Sequence, residues 1–300
     1  MTWVKTFTPM STTSTYSTYA RQYLAFATKS SLDPEDPITV AAFMRDCIVR
    51  PKPLSRSTIT KVIPAAIADL FRYEPIFPTR DPLVRQVKKI CVRQTLPSKP
   101  KLPVSKEMLT QMVRITKPTE ASIRDMFIFI LMFLGFLRED EVTSLEFGDV
   151  WVGSLKDVKE EVLFIRVRTS KTDPGRNGAT VVLAAYPSSI LCPVRWFRLH
   201  CKVRRSRTHV FHSSEPSALK LAKSTPNSLL KKWLLAIGVN PKPYGSHSLR
   251  RGGATTAAAH EVRLHILKRH GRWASDAVFL YIQDPGTSRV AVSKAILSKD

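Results

Sequence analysis

Residues 125–141 read DMFIFILMFLGFLREDE. From Met126 to Leu137 the run is interrupted by glycine alone, so a helix built on it has no polar face and must be buried on all sides. Its 12 residues fall well short of the ~18 to 20 that cross a bilayer. A helix from Asp125 to Leu137 is therefore expected at the core of the larger domain, with Arg138 ending it. Arg138 either complements the negative helix end and pairs with Glu139 or Glu141, or faces a ligand.

Working outward, Ser105 is placed to cap a helix through Met108, Leu109, Met112 and Val113. Between Glu161 and Ala184 the period changes to two: Val162, Phe164 and Arg166 alternate against Leu163, Ile165 and Val167. That pattern predicts a hairpin with Ser170-Lys171-Thr172-Asp173 at its tip. Helices follow near Pro193 to Lys202 and Asn227 to Ile237, then around Leu249 to His260, Val262 to His270 and Asp276 to Gln283. The tail from Thr287 to Asp300 is too small to form its own core.

Toward the N-terminus, Tyr16, Tyr19, Tyr23, Leu24 and Ala27 make an apolar helical stripe. Ser55 to Tyr73 is amphipathic, with Ile59, Val62, Ile63, Ala66, Ile67, Leu70 and Phe71 at steps of three and four. Pro64 should kink or divide it. Pro82 opens a further helix, with Leu83, Val84, Val87, Ile90 and Cys91 on one side. The segment TLPSKPKLP (95–103) is proline-rich and aperiodic, as a connector would be. The expected organisation is a helical domain over 1–95, a linker over 96–103 and a second domain over 104–300, mainly α with a small β-hairpin or sheet.

The formal charge is +23, with 15 Lys/Arg against 7 Asp/Glu in residues 1–100 and 32 against 17 thereafter. Basic helices in both halves suit a clamp around a long polyanion, and DNA or RNA fits better than a membrane. Arg56, Lys61, Arg85, Lys88, Lys89 and Arg251 are the candidate DNA contacts. The first 30 residues are too rich in Ser, Thr and Tyr for a secretory signal, so an intracellular protein is expected. Cys47, Cys91, Cys192 and Cys201 form no C-x-x-C pair and no zinc spacing, so neither a metal nor another cofactor is implied.

His247-Ser-Leu-Arg250 sets an imidazole and a guanidinium three residues apart at a helix start, whose N–H groups favour an anion. The pattern recurs at His260 to Arg263 and decides nothing alone. Its company is positional: Arg138, then Lys171 at a hairpin tip, then His247 and Arg250, then Trp273, then Tyr281. That series resembles the active-site order of tyrosine recombinases and phage-type integrases. The strings GFLREDEVTSL, SKTD, HSLRRGGAT and GRWASDAVFLYI (from 135, 170, 247 and 271) resemble most closely those of eukaryotic mobile-element recombinases of Crypton and DIRS-like type.

The resemblance implies a two-domain C-shaped clamp, with an N-terminal helical core-binding domain and a catalytic domain that cuts and rejoins double-stranded DNA. Arg138 and Arg250 would hold nonbridging oxygens of the scissile phosphate, and Lys171 would protonate the leaving 5′ oxygen. His247 would assist proton transfer, and Trp273 would donate its indole N–H. Tyr281 would become a 3′-phosphotyrosine, and Glu141 would buttress the site. The exchange would need neither ATP nor metal. The protein would assemble as a tetramer in synapsis from free monomers or dimers, and would work in the nucleus if eukaryotic. Competing assignments are Arg168 or Arg176 for Lys171, Arg251 for Arg250, and His270 for Trp273. The competing functions are a type IB topoisomerase, a domesticated, non-catalytic DNA-binding protein and a basic RNA-binding module.

Overall fold

The computed structural model describes residues 10–73, 78–97, 99–170, 177–206, 208–213 and 219–282, with positions 290, 293, 294 and 296. Lys171 and Arg176 lie outside the described residues, as does most of the tail. The chain divides into two compact units, Met1–Pro100 and Lys101–Asp300.

The smaller unit is built of helices. α1 (Met10–Lys29) and α2 (Pro37–Val49) are followed by a wide turn over Thr58–Val62, then α3 (Ile63–Leu70) and α4 (Pro82–Gln94). Tyr23, Phe43, Met44, Ile59, Ile63 and Ile67 fill its core, and the Tyr23 hydroxyl donates to Pro34 O at 2.7 Å. Pro64 does divide the amphipathic segment. The ladder opens to a π turn before it, so Pro64 enters the first turn of α3, where a missing N–H costs nothing. Asp81 caps α4 by accepting from Leu83 N, ahead of Pro82. The buried stripes are narrower than the periodicity suggests: Val84 and Cys91 are buried, whereas Leu24, Leu83 and Ile90 are exposed.

The larger unit comprises α5 (Lys106–Arg114), α6 (Glu120–Leu134), α7 (Glu139–Thr143), β1 (Val150–Leu155), β2 (Val158–Val167), β3 (Ala179–Ala184), α8 (Pro193–Val203), α9 (Thr225–Ala236), α10 (Ser248–Ala259) and α11 (Leu264–His270). A 3-10 turn, Asp276–Leu280, follows. α6 lies at its centre, with every side chain from Ser122 to Phe133 buried. It starts five residues before the expected Asp125, because Thr119 and Ser122 form a reciprocal capping box. Its charged first turns are tolerated in the interior by partners: Arg124 pairs with Asp125 and donates to His212 O, and Trp233 Nε1 donates to Asp125. α6 ends at Leu134, so Arg138 does not close this helix but precedes α7.

The expected hairpin is present and carries a further strand. β1 pairs with β2 at Val150↔Ile165, and β2 pairs with β3 at Leu163↔Leu183, both antiparallel. Leu163, Ile165, Val167, Val181 and Leu183 face the core, while Trp151 stacks on Phe164 with centroids 5.2 Å apart. Among the described residues no helix is long and apolar enough to cross a membrane.

α10 packs directly on α6, and glycines make the approach close. A Cβ at Gly252 would overlap the carbonyl of Val104, and one at Gly253 would overlap the carbonyl of Phe133. Because backbone cannot yield as a side-chain tip does, Gly253→Ala is expected to destabilise the fold by about 2–3 kcal/mol. Gly148→Ala, which meets nothing within 4 Å, should change stability by less than about 0.5 kcal/mol. Urea denaturation of the two variants checks the contrast.

Candidate active site

After Gly135 the chain reverses through Phe136, whose φ of 49° lies in the left-handed region. This turn places Arg138 at the N-cap of α7 in extended backbone. Its backbone N–H donates to Glu141 Oε2 at 2.9 Å, and its Nη1 donates to Glu141 Oε1 at 2.7 Å and to Ser170 Oγ at 2.7 Å. The Ser170 hydroxyl in turn donates to Glu141 Oε1 at 2.8 Å. Ser170, the last described residue after β2, is thereby bonded to both Arg138 and Glu141.

Arg250 lies in the first turn of α10 and is 0% exposed. Its Nη1 donates to Phe136 O and its Nη2 to Gly271 O at 2.6 Å. The guanidinium sits 4.4 Å from the Trp273 ring centroid and 5.2 Å from that of Tyr281. Burial, then the like charges of Arg138 and Arg272, push this guanidinium well below its usual pKa. A guanidinium does not give up its proton in a protein, so the strain is carried as electrostatic imbalance, which an anion would relieve.

Tyr281 follows the 3-10 turn, half-buried, with its ring 5.1 Å from Trp273 and 5.9 Å, edge-on, from His247. His247 stands exposed at the start of α10. Trp273 is buried against Phe136, and its indole N–H has no hydrogen-bond partner among the described residues. His270 is committed elsewhere, its Nε2 donating to Leu134 O at 2.7 Å, which favours Trp273 as the available donor.

Arg272 escaped the sequence reading. Its Nη2 donates to Glu141 Oε2 at 2.7 Å and to Phe136 O at 2.9 Å, and its Nη1 donates to Gly135 O and His270 O. Two guanidinium groups thus share one carboxylate, and a third, Arg250, is bonded to backbone carbonyls beside them. The Nε–H groups of Arg250 and Arg272 are buried without a partner among the described residues, as is Trp273 Nε1. The unpartnered donors of Arg250 and Trp273, with the positive charge beside them, suit a phosphate.

The rival cations part company. Arg168 is bound to Asp149 and Glu146 at 2.8 and 2.5 Å. Arg251 is half-buried on α10. In the smaller unit Lys61, Arg85 and Lys89 are exposed and Lys88 is half-buried, its pKa lowered by burial. Arg56 is half-buried and donates to the Thr95 hydroxyl and carbonyl, tying the segment before α3 to the end of α4.

Burial alone would raise the Glu141 carboxyl. The charge of Arg272, the Arg138 N–H, the Arg138 charge and the Ser170 hydroxyl overcome that and hold it at about 2, against an ordinary 4.5. With the folded pKa depressed, its stabilisation is complete above about pH 4.5 and is lost as pH falls toward 2. Glu141→Gln is expected to cost at least about 3 kcal/mol at pH 7, since it leaves buried cations uncompensated. The deficit should shrink through that acid window, as urea titrations at pH 7 and pH 3 would show.

No family model matches the chain. It is 24% identical over 169 residues to an integrase/recombinase xerD homolog of Selenomonas ruminantium, which covers 54% of this chain and 48% of that protein. The chain therefore spans about half the length of that relative. The XerH site-specific recombinase bound to palindromic difH substrate matches with a TM-score of 0.61 at 17% identity, over 88% of this chain and 70% of that one. The Tn1549 transposon integrase in complex with a circular intermediate DNA matches with a TM-score of 0.55 at 13% identity, over 87% and 85%. At these identities the likeness is one of fold, and the fold is that of the tyrosine recombinase catalytic domains.

Proposed function

We propose that this chain is a tyrosine recombinase that cleaves and rejoins double-stranded DNA. One observation carries the reading: Arg138 and Arg272 share a single carboxylate while Arg250, linked to Arg272 through the Phe136 carbonyl, is buried without a carboxylate partner among the described residues, its guanidinium beneath the ring of a tyrosine. A scissile phosphodiester supplies the missing anion.

Tyr281 covers Arg250, which is fully buried, so a phosphate reaches that guanidinium only when the ring swings aside. The same movement carries the Tyr281 hydroxyl toward phosphorus. Its oxygen attacks, the bond from phosphorus to the 5′ oxygen breaks, and a 3′-phosphotyrosyl ester forms. The tyrosine proton leaves with the assistance of His247, and Lys171 supplies a proton to the departing 5′ oxygen. Arg138 and Arg250 hold nonbridging oxygens, and Trp273 donates its indole N–H. One phosphate ester replaces another at nearly equal energy, so the step runs without ATP or metal and is reversed by a new 5′ hydroxyl.

Residues 1–95 act as the core-binding domain and 104–300 as the catalytic domain, with Lys61, Arg85, Lys88, Lys89 and Arg251 contacting the DNA backbone. The strings at 135, 170, 247 and 271 support a mobile-element recombinase of Crypton or DIRS-like type, working as a tetramer in synapsis and, in a eukaryote, in the nucleus.

Tyr281→Phe removes one oxygen and keeps the ring packing. It is expected to abolish the covalent protein–DNA adduct on nicked duplexes taken from the DNA flanking the coding sequence, with gel-shift affinity nearly unchanged. An adduct retained by Tyr281→Phe on denaturing gels refutes the assignment. The wild-type adduct should also persist in excess chelator; loss on chelation with recovery in magnesium would sink the metal-free mechanism.

A further inference from the structure

Arg272 occupies a backbone conformation that side chains rarely adopt, with φ of 58°. Strain of this kind costs about 1–3 kcal/mol and persists where surroundings enforce it. The preceding residue is glycine, and a Cβ there would overlap the Trp273 ring, so the turn is set tightly against the site. From this turn the Arg272 side chain reaches back to the segment after α6. It donates to Gly135 O at 3.2 Å, Phe136 O at 2.9 Å and Glu141 Oε2 at 2.7 Å.

The Glu141 oxygens are divided between partners. Oε1 takes Arg138 Nη1 and the Ser170 hydroxyl, while Oε2 takes the Arg138 backbone N–H and Arg272. Carboxylate and guanidinium prefer a two-pronged fork. Without Arg272, Oε2 is open to the Arg138 side chain, whose guanidinium would then turn flat against Glu141. Arg272 occupies that prong. It also shares the Phe136 carbonyl with Arg250, so one residue is bonded to the supports of both other arginines.

We propose that Arg272 is a positioning residue for strand cleavage: by holding Glu141 Oε2 and the turn at Gly135 and Phe136, it fixes the Arg138 guanidinium in the orientation that receives the phosphate. The inference rests on the DNA-cleavage reading. Arg272 acts through Glu141 and Arg138 and does not touch the DNA.

The test uses the full chain and the same flanking-DNA nicked duplexes, under single-turnover conditions. Arg272→Gly suits the left-handed backbone and should stay folded by circular dichroism. Its adduct rate should fall about 100-fold, the scale expected of a misplaced catalytic group, while gel-shift affinity stays within about threefold. Among the described residues Arg138, Arg272 and Ser170 are the groups bonded to Glu141, so losing the charge of Arg272 raises the Glu141 pKa and moves the acid limb of the rate to higher pH. Adding Glu141→Gln should cost little more, and Arg272→Lys should recover part of the rate. An unchanged rate and acid limb in folded Arg272→Gly overturns the proposal. So does an equal loss of affinity and rate, which marks direct phosphate contact, and so does unfolding of both variants, which marks a purely structural role. Absence of adduct from the wild-type chain instead removes the cleavage reading, and this inference with it.

Discussion

The Glu141 carboxylate, 1% exposed and shared between two guanidinium groups, is the interaction around which the larger unit is arranged. A buried carboxylate is costly unless opposite charges and hydrogen bonds surround it. Here the partners come from three separate stretches of chain: Arg138 after α6, Ser170 after β2 and Arg272 after α11. Each stretch must be delivered to one point. That requirement accounts for the left-handed residues Phe136 and Arg272, which turn the chain where a helix would otherwise carry it past.

Delivery depends on packing as much as on charge. α6 is apolar on every face, so it can serve as the common wall for α5, α8, α9 and α10. Gly252 and Gly253 let α10 approach the backbones of Val104 and Phe133, and that closeness brings Arg250 to the carbonyl of Phe136. Two arginines share one carboxylate and a third, Arg250, is buried beside them without one among the described residues, which leaves a surplus of positive charge largely removed from water. Such an imbalance costs stability, which the apolar packing elsewhere in the core offsets, and it provides attraction for an anion.

Much of this was legible in the residues. The cap at Ser105 follows from a side chain able to accept from free helix N–H groups, and the change of period near Glu161 marks the sheet, whereas the caps at Asp81 and Thr119 emerge only in the fold. β1 was not visible, because VWVGSL is short and carries a glycine, and it becomes a strand by pairing with β2. Leu83 and Ile90 fit a helical stripe yet stay exposed, since periodicity gives the direction of a face and not its width. Arg56 looked like a surface cation and is a tie to Thr95, a partner 39 residues away.

Apolar content and periodicity by themselves determine a mainly helical chain with one small sheet and a buried central helix, because burial of apolar surface is a local demand that each segment states in its own composition. The order Arg138, His247, Arg250, Trp273, Tyr281 is likewise a property of the chain alone. Tertiary structure alone decided that Arg272 joins Glu141 from 131 residues away, that His270 is occupied by Leu134, and that the Tyr281 ring lies over Arg250. Those outcomes rest on a left-handed turn and on helix packing at backbone contact, and contacts of that range leave no spacing in the sequence from which to read them.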